Sequence, residues 1–194
     1  LEESNKMPVL STLGGGSKKG FSALASGAAT PIDASGGTTE EYTDQWGDKW
    51  KSHTYSTAGT YSFTVNAVPP TDKSIRDNNA LKKLEILIVG GGGGGAGGHD
   101  ADWFGGGAGG AGGVVLKANY TASVGSNTIV VGTGGGGGNG AGTAQDYTSA
   151  GAGNNGNDSS AFGYTAKGGG GGGRSHAPVG DAKNGGSGGG KGSS

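Results

Sequence analysis

"LEILIVGGGGGGAGG", residues 84–98, runs a short apolar stretch straight into six consecutive glycines. A strand feeding a glycine loop suggests a phosphate cradle. A dinucleotide fingerprint, however, needs its glycine turn to open a helix, whose N-terminus supplies free N–H groups and a favourable dipole to the pyrophosphate. Residues 99–113 read HDADWFGGGAGGAGG, and a penalty of about 1 kcal/mol per helical glycine forbids that helix. The later GGSGGGKGSS has Gly192 where a phosphate loop needs Ser or Thr after Lys191, and no strand precedes it. No nucleotide and no other cofactor is expected.

Composition gives the glycines a different use. Of the chain's 50 glycines, nine precede Gly90, so 50 − 9 = 41 fall in the 105 residues from Gly90 to Ser194. No Gly-X-Y period accompanies them and only five prolines are present, which excludes a collagen triple helix. Hydrophobic residues make up 30%, too few for a large side-chain core. Stability must come largely from backbone hydrogen bonding and close chain approach. The chain has no cysteine, so disulfides and thiolate metal sites are excluded. A net charge of −1 offers no broad cationic field for nucleic acid. No apolar run reaches the roughly 18 residues of a membrane span, and the opening LEESNKMPVL does not read as a signal peptide. A soluble protein, or part of a soluble assembly, is expected, and Leu1–Lys6 read as residual upstream sequence before Met7.

Two regions are expected: an extended, partly irregular attachment segment over 1–50 and a glycine-rich β domain over 51–194. In the first, Trp46 and Trp50 lie four residues apart, the spacing of one helical face. Large aromatic burial makes them candidate assembly residues. From Lys51 the pattern turns to β. HTYSTAGTYSFTV alternates around Ala58–Gly59 as a half-buried hairpin would. Further strands are predicted at 84–89, 114–122, 127–131 and 159–167, with a loop and one helical turn after Asp72. Glycine tracts over 90–113, 132–156 and 168–192 alternate with these strands. Regular recurrence of this kind argues for one architecture rather than a flexible linker.

A backbone with three residues per turn and a rise of about 3.1 Å makes no internal hydrogen bonds, so its polar groups all point sideways. With glycine at every position, such helices pack without a Cβ between them and bond to several neighbours. The predicted fold class is therefore mostly β with polyglycine II helices: short strands feeding a glycine-rich sandwich, with almost no α-helix.

The order GTYSFTV, LEILIVGGGGGGAGG, NTIVVGTGGGGG and GNNGNDSSAFGYTAKGGGGGG resembles the glycine-rich domain at the ends of bacteriophage tail fibres. It is also similar in design to the tail-fibre adhesins of T-even-like phages. The likeness covers Lys51 to Lys191, and the insert 66–83 departs from it. The resemblance implies a rigid polyglycine II sandwich whose inter-tract loops touch a bacterial surface receptor, an outer-membrane protein or a glycan. It further implies docking to other tail-fibre subunits, a trimer or a trimeric fibre as the setting, and residence in the virion or, for homologous bacterial proteins, at the cell surface.

Candidate receptor-binding residues lie in the three inserts between tracts: His99, Asp100, Asp102, Trp103 and Phe104; Gln145, Asp146 and Tyr147; Arg174 and His176. Loops on a rigid scaffold vary without disturbing it. Trp103, Phe104 and Tyr147 offer flat faces for sugars or protein loops, although Trp103 and Phe104 equally suit an apolar plug at the end of the sandwich. His99, Asp100 and Asp102 carry metal-ligand atoms, but a solvated turn accounts for them better. No nucleophile–base arrangement or buried carboxylate pair is recognisable, so no enzyme is expected. The main alternative to an adhesin is a structural subunit of a virion or extracellular filament.

Overall fold

A computed structural model of the chain describes residues 32–45, 49–69, 82–98, 105–140, 150–174 and 182–193. Its elements are all strands: β1 (Asp33–Ser35), β2 (Thr38–Thr43), β3 (Lys49–Thr54), β4 (Gly59–Ala67), β5 (Lys83–Val89), β6 (Val114–Thr121), β7 (Gly125–Val131), β8 (Ser159–Ala161) and β9 (Tyr164–Ala166). The protein is mostly β, and no α-helix occurs among the described residues.

Period-2 patterning sorts these strands into layers. In β5, Ile86 and Ile88 turn inward while Glu85, Leu87 and Val89 face out. In β4, Phe63 and Val65 do the same. A five-stranded antiparallel sheet runs in the order β1-β4-β7-β8-β9, and a two-stranded sheet pairs β5 with β6. Their inner faces share one small core of Phe63, Val65, Ile86, Ile88, Ile129, Ala161 and Ala166.

The expected hairpin around Ala58–Gly59 does not form. β3 pairs with β2, from Thr38↔Thr54 to Thr43↔Lys49, whereas β4 lies between β1 and β7. Burial explains the parting: Phe63 and Val65 need a covered sheet centre, and the polar β3 cannot provide one. The segment predicted as a single strand at 159–167 is a hairpin, β8–β9, closed by Phe162 (φ 52°) and Gly163 (φ 81°). Two successive positive φ values are the two-residue turn that matches strand twist. Phe162 is held in this rare conformation by its ring, which packs 5.6 Å from Phe63 and 5.1 Å from Tyr120. The helical turn expected after Asp72 falls outside the described residues. β1 pairs with β4, so Asp33–Ser35, within the stretch before residue 50, belong to the main sheet.

The glycine tracts continue the strands. After β5, the N–H groups of Gly90, Gly93 and Ala96 donate to the carbonyls of Gly113, Gly110 and Gly107, which lead back into β6. Gly91, Gly94 and Gly97 donate instead to Asn157, Asn154 and Gly151, and the carbonyls of Gly92 and Gly95 accept from Gly135 and Gly138. Each neighbour is thus met at every third residue, unlike the two-residue alternation of a β ladder.

At the centre lies Gly168–Gly173, six successive buried glycines. Their N–H groups donate in turn to Asp158 Oδ1, Gly91 O, Ser187 O, Asn155 Oδ1, Gly94 O and Gly190 O. Their carbonyls accept from Gly186, Gly156, Gly110, Lys183, Gly153 and Gly107. Every backbone polar group of the run is paired inside the protein, as burial requires. A Cβ built on any of Gly168 to Gly172 would collide with neighbouring backbone.

The sequence alone treats all tract glycines as equally intolerant, and the geometry separates them. At Gly170 a Cβ would strike Lys183 O and crowd Gly189 N, whereas at the exposed Gly92 the nearest atom, Gly110 O, is 3.9 Å away. Gly170→Ala should lower thermal stability by on the order of 1–3 kcal/mol or prevent folding. Gly92→Ala should leave the melting temperature close to wild type, and parallel melting curves of the two variants check the difference.

Candidate functional site

Around Gly168–Gly173 four other tracts, 90–97, 105–113, 151–157 and 182–193, close a ring. Residues 90–97 bond to 105–113 on one side and to 151–157 on the other, and 105–113 bond in turn to 187–193 through Ser187 N→Ala111 O, Gly190 N→Ala108 O and Ser193 N→Gly105 O. Gly189 N→Lys183 O links 187–193 to 182–184, and Asn155 Nδ2→Asn184 O at 3.1 Å links 182–184 back to 151–157. The tract 132–140 lies outside this ring, against 90–97 and 151–157.

Side chains complete the array where backbone partners run out. Asn155 Oδ1 accepts from Gly171 N at 2.9 Å, and Asp158 Oδ1 from Gly168 N at 2.8 Å. Ser159 Oγ accepts from Gly132 N at 3.0 Å, and Asn157 Nδ2 donates to Thr133 Oγ1 at 2.8 Å. Spaced three apart, Asn155 and Asp158 serve the same face of the central run as its repeat demands. Sequence reasoning did not single out these two residues; the signal was NNGND directly before the β8–β9 hairpin.

The direction of each tract decides where the inserts emerge. Tracts 90–98, 132–140 and 167–174 all run away from the strands, since Gly138 bonds to Gly95 and Gly172 to Gly94 in parallel fashion. Tracts 105–113 and 150–157 return, with Ala96 N→Gly107 O and Gly97 N→Gly151 O near their turning points. Gly151 N→Asn139 O, Gly173 N→Gly190 O and Ser193 N→Gly105 O lie at this same end. The residues bordering all three inserts, at 98/105, 140/150 and 174/182, therefore gather at one pole of the array, opposite the β core.

Among the candidate residues, His99, Asp100, Asp102, Trp103, Phe104, Gln145, Asp146, Tyr147 and His176 lie outside the described residues, as does Trp46. Arg174 is half-buried at the polar end of the central run. Trp50 does not sit on a helix. It lies in β3 opposite Tyr42, with Nε1 donating to Asp44 Oδ2 at 3.0 Å, because the hairpin pairing with β2 overrides a helical spacing of two residues. Among the described residues no cluster of His, Asp and Glu could hold a metal ion.

A family model described as a glycine-rich domain matches residues 64–194, from within β4 to the end of the chain. The chain belongs to the glycine-rich domain family. No curated protein and no solved structure matches it. The matched region takes in every glycine tract and strands β5–β9, and leaves β1–β3 outside.

The Lys167 ammonium, 2.7 Å from Asp158 Oδ2, and the Gly168 N–H hold the Asp158 carboxyl below its ordinary range. A depressed folded-state value means that the ionised group stabilises the fold above the unfolded carboxylate value. That contribution disappears as pH falls through the folded value. Acid titration of stability should therefore show a steeper loss below about pH 4 in wild type than in Asp158→Asn, which lacks the titrating group. Identical slopes would show that the carboxylate contributes nothing at this position.

Proposed function

We propose that this domain is the tip of a bacteriophage tail fibre, or another virion adhesin, and that it recognises a bacterial surface receptor through the inserts between its glycine tracts. The observation that carries the reading is the gathering of all three insert boundaries at one pole of a hydrogen-bonded array. A body whose polar groups bond internally along its whole length presents loops without deforming, and loops on a rigid support are the usual binding surfaces. The inserts hold Trp103, Phe104, Tyr147, His99, Asp100, Asp102, Gln145, Asp146, Arg174 and His176. These supply aromatic faces and hydrogen-bonding groups suited to a glycan or an outer-membrane protein.

In this reading the array is a polyglycine II bundle. Support comes from the three-residue recurrence of neighbours and from the absence of tract glycines among the described positive-φ residues. The opposite end, with β1–β3 and Trp50, would join other fibre subunits in a trimeric setting, with Trp46 as a further candidate assembly residue.

A filament-subunit role is the second reading, and one observation favours it. On the outer face of β5–β6, Leu87 stands opposite Leu116 and Val89 opposite Val114, with exposures of 65%, 70%, 53% and 64%. Apolar faces of this kind mark interaction surfaces. Replacing Trp103, Tyr147 and His176 by alanine together distinguishes the two roles. The adhesin reading predicts loss of adsorption to host cells with an unchanged melting temperature, because a few aromatic or charged residues dominate an interface at about 2 kcal/mol or more each. Full adsorption by the folded variant would overturn it in favour of the filament reading.

A further inference from the structure

Three Asn-Gly pairs occur in the chain: Asn139–Gly140, Asn155–Gly156 and Asn184–Gly185. Glycine after asparagine leaves the backbone nitrogen unshielded, so this is the sequence most prone to cyclise into a succinimide. The last two pairs face opposite circumstances in the fold, and the first borders the undescribed residues 141–149.

At Asn155–Gly156 both reacting groups are held. The carboxamide is tied at each end, Oδ1 accepting from Gly171 N at 2.9 Å and Nδ2 donating to Asn184 O at 3.1 Å. The Gly156 N–H, whose nitrogen would be the nucleophile, donates to Gly169 O at 2.9 Å inside the ring. At Asn184–Gly185 both residues are exposed, and among the described residues neither the Asn184 carboxamide nor the Gly185 N–H makes a hydrogen bond. Gly185 begins the bend that reverses the chain between 182–184 and 187–193.

We propose that Asn184–Gly185 is a site of spontaneous isoaspartate formation, and that the change releases residues 182–193 from the central glycine run. The Gly185 nitrogen attacks the side-chain carbonyl carbon of Asn184 and a C–N bond forms. The carboxamide nitrogen leaves as ammonia, taking up the proton lost from Gly185. Water then adds to the succinimide and opens it to aspartate or, by cleavage at the other carbonyl, to isoaspartate, in which the main chain passes through the side-chain carbon.

The position makes this change consequential. Lys183 N donates to Gly171 O at 2.9 Å and Gly186 N to Gly168 O at 2.7 Å, so residue 184 sits between two clamps in register with the three-residue repeat. An isoaspartate lengthens the main chain by one carbon between those clamps. Both cannot then be kept, and the carbonyl that loses its donor is buried and unpaired. The Asn184 carbonyl, which receives Asn155 Nδ2, moves with them.

The test is to age the full-length protein in mildly alkaline buffer and to follow each asparagine by peptide mass mapping with isoaspartate detection. In the folded protein Asn184 should convert several-fold faster than Asn155, and in denaturant the two rates should converge. Equal rates in the folded protein, or no conversion at Asn184, would overturn the assignment. Hydrogen exchange of the aged protein tests the consequence. Amides of 182–193 should exchange several-fold faster than in fresh protein, while aged Asn184→Gln, which resists cyclisation, should match its fresh counterpart. Unchanged exchange in isoaspartate-containing wild type would overturn the proposed release.

Discussion

Six glycines with nowhere to place a side chain dictate the rest of this structure. Gly168–Gly173 is buried along its full length, and a buried backbone group without a partner costs on the order of 1–3 kcal/mol. The run has no internal bonds to offer itself, so neighbours must surround it. Four tracts supply backbone partners, and Asn155 and Asp158 supply the two acceptors that no backbone fills. The alternation of tract directions follows from the same need, since each outgoing run must have a returning one beside it. Three outgoing tracts then force three turns at one end. The pole that carries the inserts is a by-product of satisfying backbone hydrogen bonds.

Such an interior is expensive to order. Fixing a residue's backbone costs about 1–2 kcal/mol, glycine at the upper end, while one intramolecular hydrogen bond returns about 0.5–1.5 kcal/mol net. By itself the array is therefore net unfavourable, and it depends on an anchor. The β core is that anchor. Ile86, Ile88, Val65, Phe63 and Ile129 fix β5 and β7, which feed two of the outgoing tracts directly. The β8–β9 hairpin, folded over Phe63 and Tyr120 by Phe162, aims the third into the centre.

Much of this was legible in the sequence, for identifiable reasons. β5, β6 and β7 lie within a residue or two of their predicted ranges, because the apolar ends of β5 and β7 run straight into glycine and β6 starts directly after the tract that ends at Gly113. Tract glycines could be recognised as a packing device because no helix former follows them. Pairing was less legible. Nothing in TYSTAGTYSFTV reveals that Tyr55–Ala58 carries the chain from one sheet to another, since local alternation is the same in either case. Two residues spaced like a helix face, Trp46 and Trp50, said nothing about Trp50's strand partner Tyr42. Open and closed glycines also look alike in sequence: Gly92 and Gly170 differ only in which neighbours the third dimension brings. Of the binding candidates, the sequence named insert residues. The convergence of their boundaries depends on tract direction, which only the hydrogen bonds reveal.

Native-state hydrogen exchange at Gly168–Gly173, resolved residue by residue by NMR, tests the central claim most directly. A run enclosed on every side should exchange only through global unfolding, so all six amides should share the slowest rate in the molecule and the same denaturant dependence. Exchange of these amides at rates near those of an unstructured peptide, while the β4 and β7 amides stay protected, would contradict a backbone-bonded glycine core.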